Sequence, residues 1–259
     1  LKSKGANNPV VKPFFAYYNE NARTHQRPIT DKEEVMSTKL LPGGTREVIV
    51  LGAVWGLSEA ALGLGLHKCA SLASGSIMTA VALFFVAAAW AVTGRATGVV
   101  LAVGIVTVIK LFDAQLLSLP IKNGAVANPI FAFWTEGLAF LVVFGGLRLS
   151  MTHRKRGLAV GGALAGLAAV NLFPLVRFAT GIPACVFPGS QVPLSIHYLP
   201  IAVGLSCLTV PLGLWAGGRL AVSGESAAAL GRLPAARWLA PSAALALTFL
   251  IIAFIRLIG

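Results

Sequence analysis

Seven runs of apolar residues, each close to twenty long, divide the sequence at 48–66, 74–93, 98–118, 128–147, 158–178, 198–217 and 238–258. A helix rises about 1.5 Å per residue, so about twenty residues bridge the roughly 30 Å hydrocarbon core of a bilayer. Only helices and closed barrels satisfy their backbone hydrogen bonds there. A barrel would show alternating segments of about ten residues, and the sequence does not alternate in that way. The expected fold is therefore all-α: a polytopic transmembrane helix bundle of six to seven spans. Composition agrees, since 56% of the 259 residues are hydrophobic and 12% are charged, about half the charge of a soluble domain. Three cysteines exclude a disulfide-rich scaffold.

A net charge of +12 would suit nucleic acid, but the cations lie in the tail and between the apolar runs, so topology accounts for them and no nucleic-acid partner is expected. Of the 21 Lys and Arg, only Lys68, Lys122, Arg177 and Arg256 fall on the far side from the N-terminus and Lys110 falls inside a run, which leaves sixteen on the near side. The positive-inside rule then makes the N-terminus cytoplasmic, in a multi-pass protein of the inner (cytoplasmic) cell membrane. Trp90, Trp215 and Trp238 fall at the same interface, where indoles are favoured. Residues 1–45 read as a polar cytoplasmic tail with no apolar signal segment, residues 1–35 standing outside the membrane core and Met36 offering an alternative start. Residues 46–259 form the bundle. The 218–237 connection, with GESAAALGRLPAARW, predicts a short surface helix.

The informative residues are the ionisable ones inside spans: Glu59, Lys110, Asp113 and Glu136. Each costs about 2.5–3.5 kcal/mol at mid-bilayer on insertion scales, so each should face the bundle interior and mark function. Counting from the outer span ends places Glu59, Lys110 and Glu136 about 10–12 Å below the outer surface. Asp113 lies one turn above Lys110 on the same face. Asn171, Trp55 and Trp134 fall near that level, giving an outer-leaflet pocket of acids, amide and indole walls suited to a small polar solute, cationic or aromatic. Three carboxylates against one lysine leave an excess that requires a bound proton, a cation, or Arg177 folding in from the boundary.

No metalloprotease, hydrolase-elbow, P-loop or dinucleotide motif is present, nor a pair of histidines placed for haem, so no enzyme and no cofactor are expected. His67, Cys69, Cys185 and His197 share the outer side without a metal-ligand spacing, and no metal is assigned to them. Small residues recur at four-residue intervals, as Gly52, Gly56 and Ala60, Gly161, Ala165 and Ala169, and Gly213 and Gly217, which lets helices approach closely within the chain or against a partner.

With Gly52-x-x-x-Gly56 in the cytoplasmic half of the first span and the polar level in the outer half, the chain resembles the substrate-binding S components of energy-coupling-factor vitamin transporters over about residues 46–218. The seventh run is additional to that family's six spans. The resemblance implies a transport protein that binds a vitamin-like solute and docks through Gly52 and Gly56 to a membrane coupling subunit with ATPases. Two alternatives stand beside it. One is a proton- or cation-coupled carrier; the other is a non-catalytic scaffold or anchor subunit of a multi-protein complex. In all three the lipid bilayer is the surrounding partner.

Overall fold

The computed structural model describes residues 44–65, 72–146, 155–182, 184, 186, 189, 191–229 and 236–258. Among them the chain is a succession of helices: α1 (Thr45–Gly65), α2 (Leu72–Thr93), α3 (Ala96–Leu116), α4 (Gly124–Phe140), α5 (Lys155–Leu172), the short α6 (Val176–Thr180), α7 (Leu194–Ala229) and α8 (Ala236–Ile258). A π-helical turn, Leu141–Gly146, prolongs α4, and a 3-10 turn, Phe173–Leu175, joins α5 to α6. Six stretches are long and apolar enough to cross a membrane: Ala73–Thr93, Ala96–Leu116, Gly124–Gly146, Arg156–Thr180, Leu194–Ser223 and Trp238–Ile258. This is an all-α, multi-pass membrane protein. With 21 residues α1 has the same length, but Arg46, Glu47 and Glu59 make it more polar.

Local chemistry sets the ends of several elements. Gly94 adopts φ +63°, a left-handed conformation that costs glycine little, and its amide closes back on the Trp90 carbonyl at 2.7 Å to end α2. Asn123 caps α4 by accepting the Ala125 amide at 2.9 Å. The expected surface helix after residue 218 is not a separate element. α7, 36 residues in all, continues to Ala229, about 54 Å and well beyond the bilayer core, and residues 230–235 of the expected helix lie outside the described residues. Neither proline inside α7, Pro200 nor Pro211, lies in that extension.

Side-chain contacts fix the direction of each helix. Gly75 of α2 meets the Tyr198 ring of α7, while further along Gly213 and Gly217 of α7 abut the carbonyls of Phe84 and Ala88, so α2 and α7 run parallel. Gly52 and Gly56 face Ile105 and Ile109, which makes α1 and α3 parallel as well. Gly162 and Gly166 face Ser206, Val210 and Val203, so α5 opposes α7, while Gly137 faces Val103 and Val99 and the short 117–123 connection turns α4 back along α3. α8 follows α1 from Arg46 over the Trp238 ring (5.5 Å), through Thr248 donating to the Ala53 carbonyl (3.3 Å), to Ile252 packed with Ala60. Trp55 stacks on Phe85 while Gly44, just ahead of α1, meets Val92, so α1 opposes α2 and the helices fall into two sets, α1, α3, α5 and α8 running one way and α2, α4 and α7 the other.

The core centres on α2, which has 61% of its apolar window buried, whereas α8 on the rim of α1 and α3 has 17%. Trp55, Leu83, Val86, Phe133, Phe140 and Phe144 fill the middle. Phe140 stacks on Phe144 at 4.5 Å, and Phe144 in turn lies against Gly161. The outward faces carry Val108, Leu138, Leu208 and Leu250, apolar as lipid contact requires.

Candidate functional site

Three of the four ionisable residues singled out in the sequence are buried, and the structure brings all four together. Glu59 of α1, Asp113 of α3 and Glu136 of α4 are 2%, 2% and 4% exposed. The Lys110 ammonium lies 3.6 Å from Asp113 Oδ2, across one helical turn, and exerts its field on Glu59 as well. Glu136 of α4 lies near enough to Glu59 to feel its charge. Gly56, Glu59, Ala60, Val106, Ile109, Lys110 and Asp113 line a crevice between α1 and α3 too narrow to take up a water molecule.

The cation that completes the cluster was not among the residues expected. Arg256 of α8 grips Asp113 with two bonds, Nε to Oδ1 at 2.7 Å and Nη2 to Oδ2 at 3.0 Å. This fork-to-fork geometry is the strong, planar form of a charge-assisted pair. Arg177, the cation expected to fold inward, is exposed at the end of α6. With Arg256 present, three carboxylates face two cations, and a single formal negative charge is left over. Thr79 of α2 and Tyr198 of α7 are neighbours of Glu136 as well. Thr79 could have been found by depth, since it lies seven residues into α2, or about 10 Å. Ser76, one turn earlier, donates to the Tyr198 carbonyl at 3.4 Å.

Trp55 is fully buried one turn before Glu59, stacked on Phe85 (6.0 Å, planes 8° apart) and edge-on to Phe133 (5.4 Å). Its indole Nε1 and the Glu59 Oε2 form no fully developed hydrogen bond, although the indole lies close enough to interact with the Glu59 carboxylate, so donor and acceptor only partly satisfy each other. Such groups cost about 1–3 kcal/mol each when buried, and in native proteins they call for an explanation.

Three expected assignments do not join this cluster. Trp134 is 46% exposed on the lipid side. Two residues before Glu136, it stands about 200° round the helix from that buried carboxylate, so it cannot form a second wall. Asn171 is also exposed, its amide donating to the Leu167 carbonyl of its own helix at 2.7 Å. Gly52 and Gly56 are buried against α3: a Cβ at Gly56 would lie 2.5 Å from Ile109 Cδ1 and one at Gly52 2.8 Å from Ile105 Cγ2. That ridge is filled from within the chain and leaves no room for a coupling subunit.

Among the described residues no three His, Cys, Asp or Glu are grouped to hold a metal ion. His197 is exposed near the start of α7, whereas residues 1–43, His67, Cys69 and Cys185 lie outside the described residues. Comparison with family models, curated proteins and solved structures returns no match.

Proposed function

We propose that this membrane protein is a transport protein that binds a small positively charged polar solute at Glu59 and Glu136, in the outer half of the bundle. The observation that carries the reading is the burial of two carboxylates, Glu59 and Glu136, on separate helices within reach of each other's charge, with no fully developed hydrogen bond to Glu59 Oε2. Buried ionisable residues in a span are costly, and a monovalent cationic ligand would neutralise the single charge left uncompensated. The crevice in this conformation is closed, so loading requires α1, α3 or the rim helix to move.

The S-component resemblance supports a place for the chain as the solute-binding subunit of a larger transporter. Docking to a coupling subunit would then use a surface other than Gly52 and Gly56. A proton-coupled carrier is the second reading, favoured by one observation: a crevice too narrow for water still accommodates a proton. The direct experiment is native mass spectrometry of the protein gently extracted from its own membrane. A retained small molecule, absent from a Glu59→Gln variant that still inserts, supports solute binding. A stoichiometric protein partner without any small molecule supports the scaffold instead.

A further inference from the structure

We propose that α8 is a lateral gate over the crevice beside Glu59, held shut by the Arg256–Asp113 ion pair. All residues lining the crevice come from α1 and α3, and two of them, Ala60 and Ile109, are the residues against which Ile252 of α8 is fully buried. α8 thus lies across the seam between α1 and α3 at the level of Glu59. Phe249 reinforces the seal, meeting Phe112 edge-on at 4.7 Å. Yet α8 is the least embedded of the six apolar spans, 17% of its window being buried against 28% for the next. Apolar contacts hold such a helix weakly in a bilayer, because lipid tails replace them with little loss. The polar ties therefore dominate, and the two-bond grip of Arg256 on Asp113 stands out among them.

The latch is built so that release does not strand the carboxylate. Lys110 already lies 3.6 Å from the same Oδ2 that receives Arg256 Nη2, so Asp113 keeps a cation when Arg256 leaves. Lys110 also compensates Glu59. Its transfer toward Asp113 leaves Glu59 with less positive charge beside it as the crevice opens, which readies that carboxylate for an incoming cation. The gate concerns access alone; only this last step rests on the solute-binding reading.

The test uses the full chain in liposomes, with Cys69, Cys185 and Cys207 replaced by alanine and a single reporter, Ala60→Cys, exposed to 2-aminoethyl methanethiosulfonate. With Arg256 intact, modification is slow. Arg256→Gln should speed it at least tenfold and Arg256→Lys should restore much of the protection, while a reporter at Ala88, in the α2–α7 contact, stays unreactive throughout. Equal rates at Ala60→Cys with and without Arg256 overturn the gate. So does parallel exposure of Ala88→Cys, which would make Arg256 a support of the whole bundle. Should the reporter chain fail to fold, hydrogen exchange of the chain with native cysteines decides: Arg256→Gln must raise exchange in 56–63 and 245–256 while leaving 80–92 and 206–218 unchanged, and a uniform rise refutes the proposal. Loss of the Glu59-dependent ligand with an intact latch effect would sink the transport reading and leave the gate standing.

Discussion

Asp113 and Arg256 form a pair, but neutralising one should not cost the same as neutralising the other. Asp113→Asn leaves two part-buried cations, Arg256 and Lys110, without the carboxylate that both of them contact. Breaking a buried pair in this way destabilises by about 3–5 kcal/mol. Arg256→Gln leaves Asp113 facing Lys110 at 3.6 Å, an attraction of roughly 5 kcal/mol at an effective dielectric near 20. What is lost is then two charge-assisted hydrogen bonds, which glutamine partly replaces, for about 1–3 kcal/mol. The double variant Asp113→Asn/Arg256→Gln should be more stable than Asp113→Asn alone, because it removes one of the stranded cations. Reversible unfolding in mixed micelles, followed by the fluorescence of the five tryptophans, measures all three. An Arg256→Gln loss equal to or larger than that of Asp113→Asn would refute the idea that Lys110 stands in, and with it the charge logic of the latch.

Gly213→Ala and Gly217→Ala should each destabilise by about 1–3 kcal/mol, since the added methyl overlaps the Phe84 or Ala88 carbonyl; Gly204→Ala, with nothing within 4 Å, should be neutral or stabilise by up to about 1 kcal/mol in the same unfolding assay. Gly56→Ala should destabilise through Ile109, 2.5 Å from the new Cβ, and Ile109→Val should recover part of the loss; no recovery would mean that the ridge does not pack on α3. In a binding or uptake assay Trp134→Ala should change affinity by less than about twofold, because the ring faces lipid. Trp55→Phe, which removes the indole donor beside Glu59 together with part of the buried ring's volume, should weaken binding at least about fivefold, the value of one hydrogen bond.

The spans were legible because bilayer thickness imposes a length that few other pressures mimic, and the depth of Glu59, Lys110 and Glu136 followed from counting along them. What depth counting lacks is the azimuth. Trp134 shares the level of Glu136 but not its face, and the 100° step per residue already separates the two. Asn171 errs likewise: it sits two positions from Ala169, which is buried. Gly52 and Gly56 marked a close helix approach correctly, but a small-residue spacing does not say whether the approaching helix belongs to the same chain. Arg256 was missed for another reason. Sorting charges by side treats a cation near a span end as loop-like, and its counter-charge is 143 residues away. The signal was the unbalanced charge of the interior carboxylates, which called for a cation without saying which one.

The contact of Gly213 and Gly217 with the backbone of α2 has a mechanical meaning. The two glycines are notches, and the residues beside them on α7, Leu212, Leu214, Trp215 and Ala216, are larger. If α7 slid by one position along α2, a side chain would be driven into a carbonyl, so these parallel helices are indexed to a single register and travel as one piece. Thr79 and Tyr198 ride on that piece, while Glu59, Asp113 and Arg256 ride on α1, α3 and α8. A large rearrangement therefore leaves the α2–α7 pair intact and falls to the helices around it, α8 among them.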